Sequence, residues 1–473
     1  MNHKSILFFL GLYSSFVSFF SVLNILYSIY FDFQIDLNSY LLTFLISIFI
    51  GILFYYLGRN YNKDISLIDQ ITFIVLSFIL IPFLLAIPYF LSIYNFGFLD
   101  SYFESVSGFT NTGFTIIERV KNIDEPLILW RSSSQWLGGL LFLLITIGTI
   151  GSKQVKIKPA YLISGGASGK NFYKNFNYNF IKISSIYFIT TLFIIFLYNL
   201  VDIRLFDALN LSLTTVSAGG FIPVDDLSNI ITSDLQTIIL SLSLLFPIFN
   251  FFLLQDLVMK QFSFRKYQED LHLALLMIFL SLFFYFFIIP DAGFSNVILA
   301  VTSSISTSGI TIYTGQFDAS LFFTILTIVG GSLISTSSGF KYTRIYILLK
   351  ISYQEIYRLV KPINIPDKNL FTSESKIEDQ DVKTAFLVFI SFIISLFVLS
   401  SILTFDNLSF ESSFKLSVLT LTNTVNSSLY GLENVTFFDL KSITKSSLIV
   451  FMILGKIEII AVIYIIKRLI FRE

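Results

Sequence analysis

Cysteine is absent from this chain, so disulfides, thiolate chemistry and thiolate metal sites are excluded. Histidine occurs twice, as His3 and His272, which argues against a multi-histidine metal centre. Charge is scarce as well. Lys, Arg, Asp and Glu make up 13% of the residues, against about 25% in soluble domains. The 31 basic and 31 acidic residues cancel, so no strong attraction to nucleic acid or to acidic partners is implied. What fills the space is apolar: 55% of the 473 residues are hydrophobic, and 56 are Phe. This composition is that of an integral membrane protein.

A bilayer span takes about 20 mainly apolar residues. Such segments are predicted at 5–30, 39–57, 71–95, 132–150, 178–200, 235–258, 271–290, 320–348, 384–404 and 444–470. The first is too long for a signal-peptide core and lacks a small-residue cleavage site, so it reads as a retained helix. The first two spans form a hairpin. The other eight pair off around shorter segments, 100–109, 204–215, 294–304 and 408–419, which are too short to span and read as re-entrant helices. Each of these ends in a short polar phrase: S-G-F-T-N-T-G-F at 107–114, T-T-V-S-A-G-G-F at 214–221, S-S-I-S-T-S-G-I at 303–310 and T-L-T-N-T-V-N-S at 420–427.

Aligned on Gly113, Gly220, Gly309 and Asn426, the phrases share a hydroxyl six residues upstream (Ser107, Thr214, Ser303, Thr420). They share a small polar residue three upstream (Thr110, Ser217, Ser306, Asn423). Irregular backbone survives at membrane depth only where it lines water or is buried in protein. Four such loops predict four walls of one pore, whose backbone carbonyls replace the water shell of a monovalent cation. The candidate filter residues are Asn111, Thr112 and Gly113; Ala218, Gly219 and Gly220; Thr307, Ser308 and Gly309; and Thr424, Val425 and Asn426. Asn426 breaks the glycine rule. Either it tolerates positive φ and adds an amide, or the fourth repeat is loosely built.

The expected architecture is an all-α integral membrane protein. Four repeats of helix, pore helix, filter loop and helix surround one pseudo-fourfold pore, beside an N-terminal transmembrane hairpin. The hairpin is placed at 1–66, the repeats at 67–160, 161–262, 263–355 and 384–473, and a cytoplasmic linker at 356–383. Lys and Arg gather in loops on one side, including 58–70, 151–177, 259–270, 341–383 and the C-terminal tail, which predicts that side and both termini as cytoplasmic. The other side is acid-rich, with Asp32, Asp36, Asp100, Glu104, Asp207, Asp225, Asp226, Asp291, Asp318, Asp406 and Glu411. These acids either concentrate cations near the mouth or are simply solvated.

A second constellation interrupts the span 320–348. In G-G-S-L-I-S-T-S-S-G, Gly330, Gly331, Ser332, Ser335, Thr336, Ser337, Ser338 and Gly339 should break the helix near mid-membrane. The stretch reads as a gate below the filter, or alternatively as a small-residue packing face. Charges beside it or deep in the last span, Lys341, Arg344, Lys456 and Glu458, are candidate pore charges. The alternative for Lys456 and Glu458 is an ion pair that only fixes packing.

These motifs resemble the Trk/Ktr/HKT superfamily of cation transporters, most closely its TrkH branch. The resemblance rests on F-E-S-V-S-G-F-T-N-T-G-F at 103–114, W-R-S-S-S-Q-W-L-G-G at 130–139, G-G-S-L-I-S-T-S-S-G-F-K-Y-T-R at 330–344 and G-K-I-E at 455–458. It implies potassium uptake across a bacterial inner (plasma) membrane. It also implies a homodimer and gating by a cytoplasmic nucleotide-binding ring (TrkA-like). No phosphate-binding glycine loop follows a strand here, so nucleotide would bind the partner; no cofactor is expected in this chain, and potassium is its substrate. In HKT relatives a serine at the first filter glycine accompanies sodium transport, so Gly113 favours potassium. Lys456 stands where the family usually has arginine. A sodium-permeable relative and, more remotely, a membrane-embedded enzyme are the competing readings.

Overall fold

The computed structural model describes residues 3–33, 36–59, 67–150, 170–258, 266–312, 319–360, 369–371, 377–432 and 435–457. The regular elements among them are helices. The hairpin is α1 (His3–Tyr30) and α2 (Leu37–Gly58). The two pack closely because small residues face each other: a Cβ on Gly11 would meet Tyr55 N at 2.7 Å and Gly51 O at 2.8 Å.

The first repeat consists of α3 (Leu67–Leu85), α4 (Ile87–Leu91), the short α5 (Phe98–Phe109) and α6 (Glu125–Ile150). The second has α7 (Lys170–Leu200), the short α8 (Leu205–Ser217), then α9 (Asp234–Ser243), α10 (Leu245–Ile248) and α11 (Phe251–Val258). In the third, α12 (Gln268–Phe283) precedes the short α13 (Phe294–Ser306), followed by α14 (Ser320–Val329) and α15 (Tyr342–Val360). The fourth contains α16 (Asp379–Leu403), the short α17 (Phe410–Thr422) and α18 (Ser442–Ile457).

Packing closes these units on themselves. Besides its own neighbours, each short helix is packed by the closing helix of the preceding unit: α6 on α8, α9 and α10 on α13, α14 on α17, and α18 on α5. The last of these contacts joins the end of the described chain to its first short helix and makes a ring. The short helices are almost wholly buried within it, which is why they carry Ser, Thr and Ala where the outer helices carry Phe, Ile and Leu. Lipid-facing side chains such as Leu45, Phe49, Phe196, Phe279 and Phe397 are exposed on the long helices.

By length and composition, seven described helices are able to cross a membrane, or eight if one bent pair counts as a span. That bent pair is a departure from the uninterrupted span expected at 235–258: Asp234–Ile248 and Phe251–Leu257 meet at 106°. At the bend the amides leave the helical ladder for other partners: Asn250 N donates to Asp270 and Phe251 N to Ile334 O. The span expected at 320–348 is broken too, and residues 330–341 between α14 and α15 are irregular. The last span is described only to Ile457. Much of the basic set that sets the expected orientation, including Lys63, Lys153, Lys260, Arg265 and Lys467, lies outside the described residues, as do Asp318 and part of the linker 356–383.

Candidate functional site: four loops around one axis

Every short helix ends in a residue forced into the left-handed region, and this fixes the register of the four loops. Asn111 (φ 62°), Ala218 (59°), Thr307 (62°) and Asn423 (50°) occupy that place. The next residue then turns its amide back into the helix: Thr112 N to Ser107 O, Gly219 N to Thr214 O, Ser308 N to Ser303 O and Thr424 N to Leu419 O, at 2.8–3.1 Å. A hydroxyl pair repeats the register in three loops, Thr110–Thr112, Ser306–Ser308 and Thr422–Thr424, at 2.7–3.0 Å.

One step further along stand Gly113, Gly220, Gly309 and, in the fourth loop, Val425. The structure thus shifts the expected alignment by one residue: Val425, not Asn426, is the counterpart of the glycines. Asn426 is not left-handed; its Nδ2 donates to Leu432 O at 3.4 Å beside the cavity. Asn423, which pattern alone matched with Thr110, is the counterpart of Asn111.

The four equivalent residues converge. A Cβ built on Gly113 would meet Val425 Cβ at 3.0 Å and Gly220 Cα at 3.3 Å; one on Gly220 would meet Ser308 O at 2.5 Å. Gly113, Gly220, Gly309, Val425 and Asn426 together line the floor of a cavity of about 730 Å³, whose charged lining residues are Glu118, Asp225, Asp226 and Arg131. The buried C-terminal ends of α5, α8, α13 and α17 point toward this region, and such ends carry partial negative charge. Helix ends of this kind favour a cation.

Side chains that the sequence alone did not single out for this role hold the loops. Glu104 and Arg131 form a buried ion pair at 3.0 Å. Glu104 accepts from Thr115 Oγ1 and Ile116 N, each at 2.9 Å, while Arg131 also donates to Thr115 and lies 4.2 Å over the Phe221 ring. Glu104 is therefore neither solvated nor a free external acid. Gln135 joins two loops: its carbonyl accepts from Asn111 Nδ2, and its side-chain oxygen from Phe221 N. Asn423 Nδ2 donates to both Thr112 Oγ1 and Met452 O at 2.9 Å, tying the fourth loop to the first. The signal for the first three lay in F-E and W-R-S-S-S-Q, polar side chains in otherwise apolar helices.

Directly beneath, the loop 330–341 abuts two short-helix ends. Thr336 Oγ1 donates to Val216 O, and Ser338 N to Thr307 Oγ1, both at 2.9 Å. Its neck is narrow: Gly330 (φ 63°) and Gly339 (φ 80°) lie against each other, and a Cβ on Gly330 would stand 2.4 Å from Ser338 O. The loop also completes the broken helix of the second repeat. Ser332 N donates to Ile248 O, Ser337 N to Pro247 O, and Ile334 O accepts from Phe251 N, at 2.7–3.1 Å. Two adjacent carboxylates at the start of α12 secure this junction. Asp270 accepts from Asn250 N at 2.8 Å, and Glu269 from Leu333 N at 3.1 Å and Thr343 Oγ1 at 2.5 Å.

The candidate charges divide. Lys341 Nζ reaches Ser335 Oγ at 3.1 Å and Ser337 O at 2.5 Å. Lys456, from α18, reaches the same loop at Ser338 Oγ (3.1 Å), and both ammoniums stand over the Phe142 ring. Arg344 is buried near Phe340. Glu458 lies outside the described residues.

Known proteins resemble this chain in sequence and in fold. Residues 37–250 match the TrkH family, described as cation transport protein. An uncharacterised cation transporter of Methanocaldococcus jannaschii is 26% identical over 99% of this chain and 96% of its own length. The Trk system potassium uptake protein TrkG of Escherichia coli is 26% identical over 90% of each chain. The Trk system potassium uptake protein TrkH of Halomonas elongata is 25% identical over 77% of each. The crystal structure of the potassium transporter TrkH from Vibrio parahaemolyticus superposes with a TM-score of 0.85 over 98% of both chains, at 20% identity. Residues 37–250 carry the sequence of the TrkH family of cation transport proteins, and the chain as a whole carries the TrkH fold.

Proposed function

We propose that this chain is the membrane subunit of a potassium-uptake system. Potassium passes between the four loops, and the segment 330–341 holds the path shut at rest. The observation that carries the reading is the convergence of equivalent residues from four loops at the floor of one cavity. Carbonyls in such a ring stand in for water around a dehydrated monovalent cation. The relatives named as Trk system potassium uptake proteins support potassium as the cargo. Their system names, with the resemblance described above, support a homodimer in a bacterial inner membrane, both termini cytoplasmic, working with a cytoplasmic nucleotide-binding ring of TrkA type.

The gate reading draws on the same chemistry. A plug made of Gly, Ser and Thr, held by hydrogen bonds and by Lys341 and Lys456, moves only if something binds one of its states better than the other. One observation favours a second reading, a weakly selective pathway: the fourth loop brings Val425 where the others bring glycine.

The test is rubidium and sodium uptake into proteoliposomes, with and without the cognate cytoplasmic partner. Rubidium uptake that potassium inhibits more strongly than sodium does is the expected result. Equal competition by both ions would favour the weakly selective reading, and absence of cation flux under both conditions would refute the transport reading.

A further inference from the structure

Val425 has a further consequence. Cβ atoms built on three glycines from three different loops would all collide with its side chain. The contacts are Cβ and Cγ2 at 3.0 Å from Gly113, Cβ at 2.6 Å and Cγ1 at 2.7 Å from Gly220, and Cγ1 at 2.6 Å from Gly309. The isopropyl group therefore occupies the space the three glycines leave open. It is half-buried at the cavity floor, on the axis the four loops share.

Chemistry then distinguishes this level from the ones around it. A dehydrated cation here meets backbone oxygens on one side and two methyl groups on the other. Methyls supply no ligand, and an apolar narrowing is itself a barrier to a hydrated ion. Valine is also stiff at χ1, so the group does not swing aside as a longer unbranched chain would. Asn423 anchors the strand two residues earlier through its bonds to Thr112 and Met452, which leaves little room for the backbone to retreat.

We propose that Val425 is a specificity-determining residue: its side chain sets the upper size limit, and the barrier, for monovalent cations crossing the glycine level. The inference rests on the reading that the passage conducts cations, and it names the part of the passage that discriminates among them.

The experiment compares wild type with Val425→Gly, Val425→Ala, Val425→Thr and Val425→Ile in proteoliposomes. It reads the caesium-to-rubidium flux ratio, which a gate elsewhere in the path scales equally for both ions. The ratio should fall in the order Gly, Ala, Val, Ile. Val425→Gly should exceed wild type by about tenfold, which corresponds to a barrier change of about 1.4 kcal/mol. Val425→Thr keeps the shape and exchanges a methyl for an oxygen, so its ratio should match wild type while its half-saturating rubidium concentration falls. A parallel measurement, the melting-temperature rise with rubidium or caesium in detergent, needs no open gate. There Val425→Ala should gain caesium response and Val425→Ile should lose it.

If Val425→Gly fails to fold, the Ala and Ile variants carry the same test. A conducting wild type whose ratio is unchanged across the series overturns the role of Val425 and leaves the transport reading standing. A wild type that neither conducts nor is stabilised by any of these cations overturns the transport reading itself.

Discussion

The buried pair Glu104–Arg131 is the place where the fold and the site can be weighed together. Both side chains are almost fully removed from solvent, at 0% and 2% exposure. The pair fixes the strand after Gly113 through Thr115 and Ile116, and reaches the second loop through the Phe221 ring. Removing one partner of such a pair strands a buried charge and costs about 3–5 kcal/mol. Removing both replaces the loss by an apolar contact, which is often nearly neutral. Arg131→Met and Glu104→Leu should therefore each destabilise by about 3–5 kcal/mol, while the double variant should be destabilised by less than either single one, a shortfall from the sum of at least about 3 kcal/mol. Unfolding by a denaturing detergent, followed by tryptophan fluorescence, is a suitable assay. The two tryptophans of the chain, Trp130 and Trp136, lie on the same helix as Arg131. Additivity within about 0.5 kcal/mol would show that the charges do not depend on each other and would refute the argument. Cation flux in the stable double variant then tells whether the pair also shapes the passage.

Gly113→Ser should lower the rubidium-to-sodium flux ratio, because Gly113 sits at φ 79° and a new Cβ would press on Val425 at 3.0 Å; an unchanged ratio would remove the position from the selectivity argument. Glu269→Gln with Asp270→Asn should raise partner-independent flux by loosening the loop 330–341, and the increase should vanish when residues 332–338 are shortened; an equal increase in the shortened background would place the effect elsewhere. Asp36 is pushed up to about 6 from 3.8, first by burial and then by the neighbouring Asp124 carboxylate. The folded protein thus binds this proton more tightly than the unfolded chain, so the group disfavours folding above pH 6 and the cost is relieved as pH falls through 6. Asp36→Asn should raise the melting temperature near neutral pH and bring little change near pH 4; the same shift at both would refute the assignment.

The sequence made the four polar phrases and the short helices before them legible, because Gly, Ser and Thr are conspicuous inside Phe- and Ile-rich spans. The loop 330–341 was legible for the same reason. The fourth register was not. Matching on small polar residues chose Asn426, whereas the backbone takes its register from the left-handed residue that ends each helix, Asn423 in that repeat. The break at 249–250 also escaped the pattern, for F-P-I-F-N-F-F reads as one apolar run. The groups that complete the break belong to a loop far along the chain, and backbone partners leave no signature in composition. Glu269 and Asp270 looked like ordinary acids in the first turn of a helix, a place where acids are favoured anyway.

The junction between the second and third repeats bears on how the protein is made. The carbonyls of Pro247 and Ile248 and the amide of Phe251 leave the ribosome well before Ser332, Ile334 and Ser337, which pair with them. In hydrocarbon each unpaired backbone group costs several kcal/mol. A nascent chain that ends between these two segments therefore holds an opened helix that lipid cannot satisfy, and has to keep it in contact with water or with the insertion machinery. Completion of the second repeat waits on synthesis of the third. The two are then a single unit of biogenesis, and a chain stopped after Val329 should be cleared by membrane proteases faster than one stopped after Lys350.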